Sequence, residues 1–140
     1  MKYYPAILIA ICFVFLYSCA NTEVEIFQKE VKETDKIKIY FYDSITGKIS
    51  SPEKIVTIED KVEIEKYKDI LTNENTPPYK CGYTGLLEFF SKSKTIISTE
   101  FSLNPDCRHI VFTLRGRAFT KKLSDDGFNL LKNKYELLKY

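Results

Sequence analysis

The sequence predicts an α+β fold: an antiparallel β-sheet of about five to six strands with two helices packed on one face. Three observations support this prediction. Short segments in which every second residue is apolar recur along the chain, with polar turns between them. Two other segments place their apolar residues at helical spacing. Tyr and Phe number ten each while Trp is absent, an aromatic composition more typical of strands than of helices.

The first predicted elements are two strands. From Ile37 onward, apolar residues alternate with Lys38, Tyr40 and Tyr42, which is the period of a half-buried strand. The segment of residues 54–58 is short and rich in β-branched side chains, so we predict that it forms the second strand.

A capping box marks the start of the first predicted helix, over residues 61–72. Asp60 is the expected N-cap, and Glu63 stands three positions later to complete the box. Apolar residues then follow at helical spacing. Residues 73–78 contain consecutive prolines, which cannot continue a helix, so the helix should end before them.

Four strands and a closing helix complete the predicted order β-β-α-β-β-β-β-α. The four strands form a meander with polar turns, over residues 85–90, 95–103, 108–114 and 117–122. Ser124 is the expected N-cap of the closing helix. Apolar residues follow it at helical spacing: Phe128, Leu131, Tyr135 and Leu138.

The chain starts with the features of an export signal. After Lys2, residues 6–17 are apolar, and this run is shorter than the roughly 20 residues that a membrane-spanning helix needs. The run ends on Leu16-Tyr17-Ser18-Cys19. This motif resembles the lipobox of bacterial lipoproteins, in which Leu stands three places before the cysteine and a small residue directly before it. The resemblance covers about the first 19 residues.

The lipobox resemblance implies that Cys19 receives a diacylglyceryl group, that residues 1–18 are removed as a signal peptide, and that the new N-terminus is acylated. Two or three acyl chains hold a protein durably on a membrane, whereas one holds it only marginally. An ordinary secretory signal and an uncleaved signal anchor are the alternatives. The predicted organisation is therefore a signal (1–18), a lipidated N-terminus with a polar tether (19–35) and a single α+β domain (36–140).

Two cysteines remain once Cys12 is discarded with the signal and Cys19 is lipidated. An oxidising compartment favours disulfides, so we predict a bridge between Cys81 and Cys107, which would stabilise the fold by about 3 to 4 kcal/mol. Both residues precede alternate strands of the meander, which start at the same end of the sheet. Two free thiols, or a metal site with His109, are the alternatives. Zinc sites need three or four protein ligands, so no metal is predicted.

Residues that suggest chemistry are sparse. The single histidine, His109, begins a predicted strand, where a solvated or locally bonded side chain is expected, and nothing in the sequence places a serine beside it. The segment Gly82-Tyr83-Thr84-Gly85 lacks the spacing of a phosphate-binding loop. Charges of both signs are mixed along the chain, without the basic stripe of a nucleic-acid-binding protein. The sequence predicts no catalytic residue, no cofactor and no nucleic-acid partner.

Four tyrosines form a candidate binding face: Tyr40, Tyr42, Tyr79 and Tyr83. The first two project from the strand face opposite to its apolar residues, and the other two flank Cys81. Tyrosines suit recognition surfaces because they supply a large contact area and a polar tip at low entropy cost. Cross-strand tyrosine pairs that only stabilise the sheet are the alternative.

Five basic residues gather on the last strands of the meander: Arg108, Arg115, Arg117, Lys121 and Lys122. We interpret them as a solvated sheet edge that resists pairing with other strands. A surface for anionic lipid or polysaccharide is the alternative.

The leading functional hypothesis is a small, non-enzymatic envelope lipoprotein whose domain binds another macromolecule, an envelope protein in preference to a glycan. Ala20 follows Cys19, where some inner-membrane lipoproteins carry Asp, so an outer membrane facing the periplasm is the expected location. One alternative is an inhibitor of a hydrolase that presents the loop of residues 76–85. Another is an enzyme that acts on envelope polymers.

Overall fold

The computed structural model describes residues 22–43, 46–49, 54–77 and 81–138, which contain three helices and seven strands. The helices are α1 (Glu23–Glu30), α2 (Lys61–Lys68) and α3 (Asp125–Leu137). The strands are β1 (Lys36–Phe41), β2 (Ile55–Ile58), β3 (Leu71–Asn75), β4 (Gly85–Ser91), β5 (Lys94–Ser102), β6 (His109–Leu114) and β7 (Arg117–Leu123). The fold is α+β, as the sequence predicts.

All seven strands belong to one antiparallel sheet, in the order β2-β1-β4-β5-β6-β7-β3. Strands β4 to β7 are neighbours in both sequence and space, which confirms the predicted meander. The predicted alternation in β1 is also confirmed, since Ile37, Ile39 and Phe41 are buried while the residues between them are half-buried. The sheet therefore has a buried core face and a more open face.

The core combines aliphatic side chains with aromatic rings that contact one another. Phe27 of α1 packs edge-on against Phe89 at 5.6 Å and lies 5.0 Å from Phe112, measured between ring centroids. Phe41 packs edge-on against Phe101 at 5.9 Å. Edge-to-face and offset pairs of this kind favour a defined packing beyond their area burial.

Close packing of α3 against the segment before β3 depends on a glycine. A Cβ added at Gly127 would lie 2.7 Å from the Cβ of Ile70, which is fully buried. Ser124 caps α3 as predicted, because its hydroxyl accepts a hydrogen bond from the Gly127 backbone N–H. None of the helices described in residues 22–138 is long and apolar enough to span a bilayer.

The first difference from the sequence prediction lies in residues 22–33. This stretch, predicted as part of a tether, instead forms α1 and a 3-10 turn over Val31–Glu33. Thr22 and Glu25 make a reciprocal capping box, and both Phe27 and Val31 are fully buried. Residues 22–33 therefore belong to the fold, because burial of these apolar side chains holds the helix on the sheet.

The second difference is β3, which the sequence analysis assigned to the end of a helix and a loop. Helix α2 ends at Lys68, and Leu71–Asn75 pairs with β7 instead. Strand β7 is therefore interior, so the prediction that its basic residues form a sheet edge is wrong. Lys121 points to the core face and is 2% exposed, while Lys122 points to the open face and pairs with Glu74.

Candidate binding cleft

The disulfide between Cys81 and Cys107 closes one end of the sheet. The two residues precede β4 and β6, which lie on either side of β5, and their Cα atoms are 6.3 Å apart. This distance is within the range that a disulfide spans. A 3-10 turn over Pro105–Cys107, capped by the Asn104 side chain, carries one cysteine toward the other. The bridge predicted from the sequence is confirmed.

Backbone hydrogen bonds fix the segment that follows Cys81 against the sheet. The Thr84 N–H donates to the carbonyl of Phe101, and the Tyr42 N–H donates to the carbonyl of Thr84. The Thr84 hydroxyl also accepts from the Leu103 N–H at 2.9 Å. Thr84 therefore joins the ends of β1 and β5. These bonds limit how far residues 81–84, which we call the stapled segment, can move.

Gly85 allows β1, β4 and β5 to approach closely beside this segment. A Cβ added at Gly85 would meet the carbonyl oxygen of Tyr40, and it would lie 2.8 Å from the ring of Phe101. Glycine is needed here because any side chain would push these strands apart.

Tyr42 and Glu100 form the polar centre of the site. The Tyr42 hydroxyl donates to the Glu100 carboxylate at 3.1 Å, joining residues 58 positions apart. Burial, the Glu100 charge and this hydrogen bond raise the pKa of Tyr42 to about 12, and the nearby phenol of Tyr83 contributes in the same direction. Tyr42 therefore remains a neutral hydrogen-bond donor near physiological pH.

These residues line a cleft of about 670 Å³. We call it the tyrosine cleft: it is lined by Tyr42, Tyr83 and Tyr135, by the acidic residues Asp43 and Glu100, and by the turn and bridge residues around them. Tyr135 comes from α3, where its ring lies 5.3 Å from that of Phe41. Tyr83 is 42% exposed, so its ring is accessible to a partner.

The charge of the tyrosine cleft is negative. Among its lining residues in the described part of the chain, two are acidic and none is Lys or Arg. Aromatic faces and carboxylates together attract cationic side chains, through cation–π contacts and ion pairing. The arrangement is therefore suited to binding a basic group.

No family model, curated protein or solved structure matches this chain.

The structure divides the candidate tyrosine face that the sequence predicts. Tyr42 and Tyr83 meet in the tyrosine cleft, whereas Tyr40 does not line it. Tyr40 lies beside Glu88 on the open face, and burial together with this carboxylate raises its pKa to about 12. Tyr79 and the lipidation candidate Cys19 lie outside the described residues.

Sequence reasoning missed Glu100 and Tyr135. Both reach the tyrosine cleft through strand and helix packing between residues distant in the chain. The alternation in 95–103 placed Glu100 on the face opposite Phe101, which is the only local signal that could have indicated its position.

His109 is buried, whereas the sequence predicted either a solvated or a locally bonded side chain. It is 2% exposed, and its Nδ1–H donates to the carbonyl of Cys107 at 2.6 Å, while the ring of Tyr83 lies 5.7 Å away. The sequence did not place a serine near His109, and in the structure Ser102 pairs directly with it across β5 and β6. Ser102 is 1% exposed, so a substrate does not reach this pair without displacing the residues that cover it.

Metal ligands do not cluster in the described residues. No group of three or more His, Cys, Asp or Glu residues in residues 22–43, 46–49, 54–77 and 81–138 is placed to hold a metal ion.

Proposed function

We propose that this chain is a bacterial envelope lipoprotein that is anchored through Cys19 and binds a protein partner through the tyrosine cleft. The observation that carries the binding proposal is the cleft itself. It combines an accessible tyrosine, a neutral tyrosine donor and two carboxylates beside a disulfide. Rigid aromatic side chains next to a few polar groups are typical of surfaces that recognise other proteins.

The anchor is supported by the sequence at the start of the chain. A short apolar run ends on Leu16-Tyr17-Ser18-Cys19, as in lipobox signals. The disulfide supports export, since such bridges persist mainly in oxidising compartments. Ala20 follows the lipidated cysteine in place of Asp, so we place the protein at the outer membrane, facing the periplasm.

The charge of the cleft suggests the chemistry of the partner. Glu100 and Asp43 provide negative charge, and Tyr42 and Tyr83 provide ring faces. A Lys or Arg side chain from an exposed basic segment of an envelope protein would pair with the carboxylates and pack on the ring faces. Binding through such contacts weakens as the salt concentration rises, because ions screen exposed charges.

We propose that the domain acts by contact and not by catalysis. Ser102 and His109 are both buried, and Tyr83 packs against the histidine ring. A nucleophile must reach its substrate, so this pair is better explained as part of the packing beneath the cleft.

Co-purification from gently solubilised membranes tests the binding proposal. The test variant is Tyr83→Ser, because Tyr83 is exposed and its removal should leave the fold intact. The expected result is loss of the partner that co-purifies with the natural protein. Glu100→Gln should weaken binding of the same partner, since it removes a negative charge from the cleft.

Tyr40→Ser is the matched control, because Tyr40 lies two residues before the cleft residue Tyr42, on the same face of the extended chain but outside the cleft. It should lower stability, measured by urea unfolding, while retaining the partner. Retention of the same partner by Tyr83→Ser, or its loss from both variants to the same extent, would contradict binding through the cleft.

A hydrolase inhibitor is the second candidate function, favoured by one observation. Tyr83 projects from a segment stapled by the bridge, as an inhibitory loop would present a side chain to an enzyme pocket. In that case the co-purifying partner is a hydrolase whose activity falls when the natural protein is added, and Tyr83→Ser relieves the inhibition.

A further inference from the structure

The distance between the lipid attachment site and the fold sets how the domain sits on a membrane. Resting on the proposed anchor at Cys19, we propose that the folded domain lies directly on the bilayer surface, with β3 and the N-terminus of α1 at the lipid headgroups. The tyrosine cleft then lies on the side of the sheet away from the membrane.

Only two residues, Ala20 and Asn21, separate Cys19 from Thr22. Thr22 already belongs to the fold, because its hydroxyl accepts from the Glu25 N–H and its own N–H donates to the Glu25 side chain. Three residue steps span at most about 11 Å when fully extended. The lipidated residue therefore cannot lie farther than this from the start of α1.

Helix α1 cannot lengthen this connection without losing its packing. Phe27 and Val31 are fully buried, and Lys121 pairs with Glu23 at 3.0 Å in the first turn. Unwinding the helix would expose Phe27 and leave the Lys121 ammonium without its carboxylate partner. The cost of both changes favours a domain held close to its anchor.

The surface next to the start of α1 is polar. Lys121 also donates to the Asn75 side chain at 2.6 Å and contacts the carbonyl of Asn73 at 3.4 Å, which places β3 beside Glu23. Asn73, Glu74 and Asn75 are exposed. Amides and a paired carboxylate suit contact with hydrated headgroups and not insertion into the hydrocarbon, where unsatisfied polar groups are costly.

The tyrosine cleft lies across the sheet from this surface. A row of paired residues runs from Lys121 through Ile110, Phe101 and Gly85 to Phe41, the residue before Tyr42. Four strand spacings separate its ends, which corresponds to about 19 Å. An anchor at one end of the row therefore leaves the cleft facing away from the bilayer, toward proteins of the envelope.

Fluorescent labels at the two edge strands test this orientation. The full chain is expressed with Asn73→Cys or Thr57→Cys, purified from membranes with its disulfide intact, labelled, and reconstituted into phosphatidylethanolamine–phosphatidylglycerol vesicles. The vesicles carry a lipid with a nitroxide quencher on its headgroup. Asn73 and Thr57 are both exposed, on β3 and β2, and six strand spacings or about 29 Å separate these strands.

The label at residue 73 should be quenched several-fold more than the label at residue 57. Inserting ten Gly and Ser residues between Asn21 and Thr22 adds a flexible linker of about 17 Å and should reduce the difference. Equal quenching at both sites, stronger quenching at residue 57, or a difference unchanged by the linker would overturn the orientation.

The same samples separate this inference from the proposed anchor. If the protein carries no lipid and does not bind the vesicles, the proposed anchor is contradicted. If the protein is lipidated and vesicle-bound, yet equally quenched at both sites, only the orientation is contradicted.

Discussion

Lys121 and Glu23 join the first turn of α1 to the interior of the sheet. The Lys121 side chain is 3% exposed, and its ammonium group donates to the Glu23 carboxylate at 3.0 Å, across 98 positions of the chain. Hydrogen bonding to the backbone lowers the pKa of Glu23, and the bond to Lys121 lowers it further. This pair ties the start of α1 to the sheet, and it therefore limits where a lipid on Cys19 would hold the domain under the proposed anchor.

Removing the two partners of this pair should have unequal effects. Glu23→Gln leaves a buried ammonium group without its carboxylate, so we expect a lower free energy of unfolding than in the natural protein. Lys121→Met replaces the charge with an apolar side chain of similar length and should change stability by about 1 kcal/mol or less. Urea unfolding of both variants measures the difference. A greater loss for Lys121→Met than for Glu23→Gln would contradict this reading of the pair.

Removing a buried hydroxyl group should stabilise the protein. Tyr67 is fully buried, and its hydroxyl has no hydrogen-bond partner among the described residues. Tyr67→Phe removes this polar group and should raise the free energy of unfolding by up to about 1 kcal/mol. Tyr42→Phe is the matched control, because it loses the bond to Glu100 and should lower stability by about 1 kcal/mol. Destabilisation of both variants to the same extent would show that the Tyr67 hydroxyl is satisfied.

Stability should fall steeply in alkaline solution. Tyr42 has its pKa raised from 10.0 to about 12, so the folded state keeps its proton where the unfolded state has lost it. The stabilising contribution is complete below pH 10.0 and is lost as the pH rises toward about 12. Urea unfolding across this interval should show a shallower decline for Tyr42→Phe than for the natural protein. If stability declines equally with pH in both proteins, ionisation of Tyr42 does not contribute to the alkaline loss of stability.

Local patterns predicted the parts of the fold that depend on local contacts. Alternation placed Ile37, Ile39 and Phe41 on one face of β1, and the Ser124 cap located the start of α3. The disulfide was predicted because two cysteines remain once the signal is removed, and strand reversal in a meander supported it by placing both at the same end of the sheet.

Two elements escaped the sequence analysis for different physical reasons. The capping box of Thr22 and Glu25 was present in the sequence, but α1 is short and its polar residues resemble a tether. Strand β3 has the sequence Leu-Thr-Asn-Glu-Asn, which has little strand propensity. It forms because pairing with β7 overrides local preference, and no local pattern reports such pairing.

The tyrosine cleft was predicted only in part. The position of Tyr42 followed from alternation, and that of Tyr83 followed from its closeness to the bridge. Glu100 and Tyr135 join them through long-range packing, which a pattern of neighbouring residues does not encode.

The mass of the N-terminal peptide of the natural protein, purified from its own membranes, tests the proposed membrane anchor most directly. The expected peptide begins at Cys19 and carries a diacylglyceryl group and an acyl chain. An unmodified chain that starts at Met1 would contradict the anchor, the envelope location and the orientation that depends on them.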